Sequence, residues 1–359
     1  METKIKEIEK YLPKDWKEQC RKSKALVRGR EIKTAEELLE LNLLYLTAGG
    51  SFGATSALLN LTTEKRMSKK AVYTRIQNSA EWLRRMSKEM LEENGMKLPK
   101  PVWLEKDVIL VDGSELCVKG SRQGDYFLHY AMNLFEFKGS MNLTGITTGE
   151  SLTNYEFHES EIVIGDRGYV SIRGMEYVMK SGADFILRYR KNAFNIYDEN
   201  RMKVDILTII GNLQEFESMS FTGFYKVKNE YRPVRFVAMK KGKKDYEKAV
   251  RKIKNDCKRK NRNSPKQDTL ELNKYIILVT GLDYSDDKIL ELYRCRWQIE
   301  LVFKRLKSLF ELSKIPSAKP ETAKAWFYGK LFLAVLCETI LKAEVFSPEK
   351  EKENPKEQI

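Results

Sequence analysis

The stretch from Asp286 to Phe310, DDKILELYRCRWQIELVFKRLKSLF, holds neither glycine nor proline and spaces its apolar residues at three- and four-residue intervals. That period predicts one amphipathic helix. At about 100° per residue, Tyr293, Arg296, Glu300 and Lys307 fall within an arc of roughly 60°. Ile299, Val302, Phe303, Leu306, Leu309 and Phe310 occupy the adjoining arc, so that stripe must pack on a core. Beside it stands a row of one carboxylate, two cations and a phenol. A carboxylate can hold a divalent metal, and Arg, Lys and a tyrosyl hydroxyl can grip phosphate oxygens. Taken alone, such a row is more often a solvated face, so the rest of the chain has to decide.

Two short apolar runs carry the next constraint. DVILV (107–111) leads into Asp112, and IVIG (162–165) leads into Asp166. Each predicts a buried strand with a carboxylate at its C-terminal end, where open α/β sheets place ligands. Between them, ELCVKG, YFLHYAMNLFEF and MNLTGITTG are three strand candidates in meander spacing. A helix from about Val170 to Lys180 and the strand DFILRY follow. If the first and fourth strands are neighbours, the two aspartates lie side by side, and the 286–310 helix packed over the sheet could bring Glu300 to them. Three converging carboxylates repel unless a cation neutralises them, which implies bound Mg²⁺ or Mn²⁺.

The chain's flanks read differently. From Thr34 to about Glu93 the pattern is helical, with Thr34 and Glu37 spaced as a capping box and Gly49-Gly50 as a stop. Ser51 opens a short helix, and Ser68 a longer basic one, SKKAVYTRIQNSAEWLRRMSKEML, carrying Lys69, Lys70, Tyr73 and Arg75. Short helix, turn and basic helix suit a helix-turn-helix DNA reader, a pattern that any small helical domain also offers. LPKPVW (98–103) is a linker. Residues 191–274 predict antiparallel strands, then a run at 240–262 with twelve Lys or Arg against three acids, either a solvated surface or a phosphate-backbone contact. KYIILVTGL (274–282) resumes the buried-strand pattern, and a further helix runs from after Pro320 to about Ala343.

Charge bears on the partner. The 359 residues carry 65 Lys and Arg against 51 Asp and Glu, a net +14, which favours a polyanion, most simply nucleic acid. Five scattered cysteines without a CxxC pair predict free thiols in a cytoplasmic protein. No apolar run is long enough for a membrane span. With two histidines and no GxxxxGK[ST] loop, nucleophile–histidine chemistry and nucleotide hydrolysis are not expected.

The spacing Tyr-x2-Arg-x3-Glu-x6-Lys in YRCRWQIELVFKRLK, together with VILVDGS and IVIGDRGY, resembles transposases of insertion-sequence family four, the YREK group of DDE enzymes. The resemblance covers most of residues 40–340. It implies an α/β fold: an RNase H-like catalytic core (98–190 and 274–345) interrupted by a β-rich basic insertion (191–273). An all-α, helix-turn-helix-like end-binding domain (1–97) would precede it and a disordered tail (346–359) would follow. Asp112, Asp166 and Glu300 would be the catalytic, metal-binding triad, holding two Mg²⁺ or Mn²⁺ ions. Tyr293, Arg296, Lys307 and Arg167 would contact DNA, with Lys69, Lys70, Tyr73 and Arg75 reading the element end. The implied function is cut-and-paste transposition on double-stranded DNA, namely terminal inverted repeats and target, by a homodimer in a synaptic complex. Its setting would be the prokaryotic cytoplasm, nucleoid-associated when DNA-bound. The rivals are an RNase H-like nuclease without strand transfer and a catalytically silent, transposase-derived DNA-binding protein. Trp16, Trp82, Trp103, Trp297 and Trp326 all lie outside 191–274, so that segment lacks the base-stacking tryptophan of hairpin-forming relatives; Phe221, Phe224 or Tyr225 could stand in for it, though core packing is the simpler role for each.

Overall fold

The computed structural model describes residues 2–93, 99–121, 124–136, 138–259, 263–300 and 314–345. Six helices open the chain: α1 (Glu2–Glu9), α2 (Trp16–Lys22), α3 (Ala35–Thr47), α4 (Phe52–Thr62), α5 (Lys69–Asn78) and α6 (Ala80–Glu93). Their starts follow the capping chemistry. Thr34 and Glu37 form the reciprocal box on α3, while Ser51 and Ser68 accept from the amides of Ala54 and Ala71. The stop after α3 needs glycine: Gly50 has φ +77°, and a Cβ there would sit 2.8 Å from the Trp326 ring.

The long basic helix expected from Ser68 onward is two helices. Buried Ser79 breaks it, its amide reaching both Arg75 and Ile76 carbonyls and its hydroxyl bonding the Arg75 carbonyl at 2.8 Å. Asn42 donates to the same hydroxyl at 3.0 Å, fixing the bend against α3. A side chain that competes for a helical carbonyl turns the backbone.

The sheet begins with β1 (Asp107–Val118), paired antiparallel with β2 (Tyr126–Asn133), which pairs with β3 (Gly139–Gly145). β4 (Glu161–Gly165) lies parallel to β1 on its other edge, with Leu110 opposite Ile164. After α7 (Ile172–Lys180), β5 (Asp184–Arg188) lies parallel to β4, the crossover helix that parallel neighbours require. The segment from 191 to 273 supplies β6 (Ile196–Tyr197), β7 (Lys203–Val204), α8 (Ile206–Ile210), β8 (Ser218–Val227), β9 (Glu230–Lys240), α9 (Lys243–Arg259) and α10 (Gln267–Leu272). β10 (Tyr275–Thr280) then joins β5 to β9, α11 (Asp286–Arg294) follows, and β11 (Lys314–Ile315) pairs with the end of β1. The order is β3-β2-β1-β4-β5-β10-β9-β8-β6-β7, so the strands of 191–273 extend the same mixed sheet. The last helix is α12 (Pro320–Val345).

One expectation about the first strand is corrected. DVILV and ELCVKG are not two strands but one, and Asp112 lies within β1 rather than at its end. β1 keeps its β2 partner from Ile109 to Leu116, whereas its pairing with β4 stops at Leu110. Asp112 therefore stands where the parallel neighbour has just run out.

Each face of the sheet has its own cover. Val108, Leu110, Ile162, Ile164, Ile186 and Leu278 join one apolar cluster with the N-terminal helices, α11 and α12. Val111, Val163, Phe185, Leu187, Ile277 and Val279 join another with α7 and α8. Adjacent residues fall on opposite faces because successive strand side chains alternate. The N-terminal helices thus share one core with the sheet: α12 packs along α6 and reaches α3 and α5, and buried Trp326 meets Tyr45 edge-on at 5.9 Å.

Candidate active site

Strand parity and register bring the two aspartates together. Val108, Leu110 and Asp112 share one face of β1, and Ile162, Ile164 and Asp166 continue the matching face of β4. Asp112 and Asp166 each stand two residues beyond the last β1–β4 pair, Leu110 and Ile164. Both point to the face that α11 covers, through Ile289, Leu292 and Tyr293. The Tyr293 hydroxyl donates to Asp166 Oδ1 at 3.0 Å, and Arg188 Nη1 stands 3.8 Å from the same oxygen.

The helix carrying the row of polar groups is not continuous. It breaks at Cys295 and Arg296, where the amides of Cys295, Arg296, Gln298 and Ile299 bond the carbonyls three residues back. Such a 3₁₀ turn tightens the winding. Past it the helix resumes through Glu300, and fully buried Ile299 anchors it. Tyr293, Arg296 and Glu300 still share a face: Arg296 donates to Glu300 Oε1 at 2.7 Å, and its guanidinium carbon lies 5.8 Å from the Tyr293 ring centre. Lys307 and the remainder of the predicted helix lie outside the described residues.

The electrostatics separate the two aspartates. Burial pushes the Asp112 carboxyl up to about 6, and Glu150 and Glu300 add to that, against the Gly113 amide and Arg296. Burial acts on Asp166 in the same sense, but Arg296, Arg188, the Arg167 amide and Tyr293 outweigh it and hold this carboxyl below its ordinary value. Burial would lower Arg296, yet Tyr293, Asp166 and Glu300 raise it on balance, so its charge is secure. Its side chain is only 13% exposed, whereas that of Glu300 is 56% exposed.

These donors suit a hard cation: oxygen only, with one buried carboxyl whose charge wants neutralising. They are not a closed cage. Among the described residues no three His, Cys, Asp or Glu side chains gather closely enough to hold a metal, and Glu300 is bonded to Arg296.

Behind β1, the Tyr155 hydroxyl donates to the Asp112 carbonyl at 3.0 Å and lies 2.8 Å from the Tyr169 hydroxyl. Tyr155 reads in the sequence as an ordinary apolar-face aromatic, and Tyr169 closes the IVIGDRGY stretch without a role of its own there. Glu150 was equally illegible. It comes from the loop after β3, and its carboxylate fills the space over Gly168, where a Cβ would lie 1.2 Å from Oε2. Burial and then Asp166 raise its carboxyl, against Arg190.

Other predicted residues are placed as follows. Arg167 Nη2 donates to Asn273 Oδ1 at 2.9 Å. Lys69 and Lys70 are exposed at the start of α5, whereas Tyr73 packs edge-on against Phe52 at 5.2 Å and Arg75 donates to the Arg28 carbonyl. His129 is the packed histidine its apolar strand predicts, bonded through Nε2 to Thr144 and Thr148. Trp297, next to Arg296 in the chain, is 52% exposed. All five cysteines are free, and among the described residues no helix is long and apolar enough to cross a membrane.

Comparison with known proteins identifies the family. The chain is 28% identical over 350 residues to the putative transposase InsL for insertion sequence element IS186A of Escherichia coli strain K12, covering 94% of this chain and 93% of that protein. It is 28% identical over 351 residues to the transposase for insertion sequence element IS421 of Escherichia coli, with the same coverage. The transposase for IS1151 of Clostridium perfringens is 25% identical over 228 residues, 58% of this chain and 47% of that one. Residues 143–336, over half of the chain and including Asp166 and the Tyr-Arg-Glu face, match the family described as Transposase DDE domain, and the chain belongs to the DDE transposases.

Proposed function

We propose that this chain is a cut-and-paste DNA transposase, which hydrolyses a phosphodiester at each element end and then joins the freed 3′-hydroxyl to target DNA. The observation that carries this reading is the juxtaposition on one sheet face of Asp112 and Asp166 beneath Tyr293, Arg296 and Glu300. The order β3-β2-β1-β4-β5, with β4 parallel to β1, supports an RNase H-like core. Asp112, Asp166 and Glu300 would hold Mg²⁺ or Mn²⁺, two ions in the full site. The metal supplies Lewis acidity and a nucleophile active at neutral pH.

The protein's own residues divide the remaining work. Tyr293 orients the Asp166 carboxylate, and Tyr155 steadies the β1 backbone at Asp112. Arg296, kept cationic, balances the carboxylates and faces DNA phosphates together with Lys307, while Arg167 contacts DNA from beside the second aspartate. Release of Glu300 from Arg296 would complete the ligand set. Lys69 and Lys70 supply backbone contacts from the 1–97 helical segment, and the basic 191–273 segment supplies more. Two ends must be joined, so a homodimer would assemble on double-stranded DNA.

The test is Mg²⁺-dependent cleavage of duplex DNA carrying the element's ends by wild type and Asp112→Ala. Cleavage by wild type alone, abolished by EDTA while DNA binding persists, is expected. Salt-sensitive binding without cleavage by either protein would instead indicate a silent DNA-binding descendant. Equal cleavage by both would remove Asp112 from the site.

A further inference from the structure

Next to Asp166 lies a cavity of about 250 Å³ lined by Arg167, Arg188, Arg190 and Lys191, together with Tyr189 and Asn273. A fifth cation stands at its back: Lys241 Nζ donates to the Asn273 carbonyl at 2.7 Å, and the Asn273 side chain accepts from Arg167. Acids offset this charge only in part: besides Asp268, Asp166 acts on Arg167 and Arg188, Glu150 on Arg190 and Asp245 on Lys241. Lys191 pairs with Asp268 at 2.6 Å, but Arg188 approaches Asp166 only to 3.8 Å, too far for a hydrogen bond. The Nε atoms of Arg167 and Arg188 are both buried and lack a hydrogen-bond partner among the described residues. Burial, then Arg188 and Arg167, push the Lys241 ammonium down to about 8.

Buried guanidinium donors without acceptors are costly, and like charges gathered out of water add to the cost. An incoming anion relieves the second of these costs. Planar N–H forks fit phosphate oxygens, and the cavity has room for one phosphate and its flanking sugar.

We propose that this cavity is a phosphodiester subsite, separate from the Tyr293–Arg296 face, that holds a backbone phosphate of the DNA strand beside the one being processed. It rests on the DNA-processing role proposed above. Arg167 and Arg188 supply the inner donors, and Arg190 and Lys191 the charge at the rim. Arg188 ends β5, whereas Asn273 and Lys241 belong to the 191–274 segment, so a bound phosphate would tie that segment to β5.

The full-length protein tests this in two arms. In the first, the thermal midpoint is compared in inorganic phosphate and in chloride at equal ionic strength, for wild type, Arg188→Gln and Arg190→Gln. Phosphate should raise the wild-type midpoint and raise those of the variants less. Exposed Arg190 serves as the second variant because Arg188 also flanks Asp166. In the second arm, each phosphate of an end-bearing duplex is replaced in turn by an uncharged methylphosphonate, and affinity is read by fluorescence anisotropy. One position should cost wild type about tenfold or more and cost Arg190→Gln markedly less, while other positions cost both proteins equally.

Phosphate stabilisation without such a coupled position would make the cavity a free-anion site and overturn the assignment to DNA. Equal losses at every position together with no phosphate effect would overturn it altogether. Stabilisation by phosphate in a protein that neither binds nor cleaves end DNA would sink the transposase reading instead, and with it the DNA occupant.

Discussion

Tyr293 shows how a residue's role depends on what its polar atom touches. Its position in the Tyr-Arg-Glu-Lys row suggested a phosphate ligand, yet its hydroxyl donates to Asp166 at 3.0 Å and its ring is buried. A hydrogen bond to a charged group contributes about 1.5–3 kcal/mol. Tyr293→Phe should therefore slow end cleavage by about tenfold or more while changing DNA affinity by less than about threefold. Cleavage rates and anisotropy titrations on the same duplex separate the two effects. A loss confined to affinity would return Tyr293 to the DNA. Arg296 was legible to the same extent: the i, i+3, i+7 spacing placed it beside Tyr293 and Glu300, but not its bond to Glu300.

At the scale of elements, the caps and stops were readable because they are local. Thr34, Ser51 and Ser68 each cap the helix they were expected to start. The breaks at Ser79 and at Cys295–Arg296 were not readable, since neither contains glycine or proline. At Ser79 the reason is tertiary: Asn42, on α3, meets its hydroxyl inside the core. Ser79→Ala should leave the Asn42 amide short of a partner and cost about 1–2 kcal/mol, measured by urea unfolding. Asn42→Leu combined with Ser79→Ala should cost less than the two single changes summed. Strict additivity would mean that the pair does not set the bend.

Over the whole molecule, the net charge of +14 is distributed unevenly. α9 carries much of it with no buried residue, and Lys244, Lys248, Arg251 and Lys252 are all exposed. On non-specific duplex DNA the log–log salt slope should be steep. Changing these four residues to Gln should flatten it by about 0.9 for each phosphate that the helix no longer neutralises, without moving the thermal midpoint. An unchanged slope would leave α9 as a solvated surface.

What the sequence determined by itself is whatever depends on neighbours along the chain: helix starts, strand period, the order of the two aspartates, and a helical face bearing Tyr293, Arg296 and Glu300. Side-chain period and capping act over a few residues, so they can be read without a fold. Only the tertiary structure decided that β1 runs on past its parallel partner and leaves Asp112 at the opening. It alone joined the strands of 191–273 to the same sheet, and it brought Glu150, Tyr155 and Arg188 to the carboxylates from separate segments. Those contacts arise from strand order and sheet register, which depend on how distant apolar faces pack and leave no periodic trace in the residues concerned.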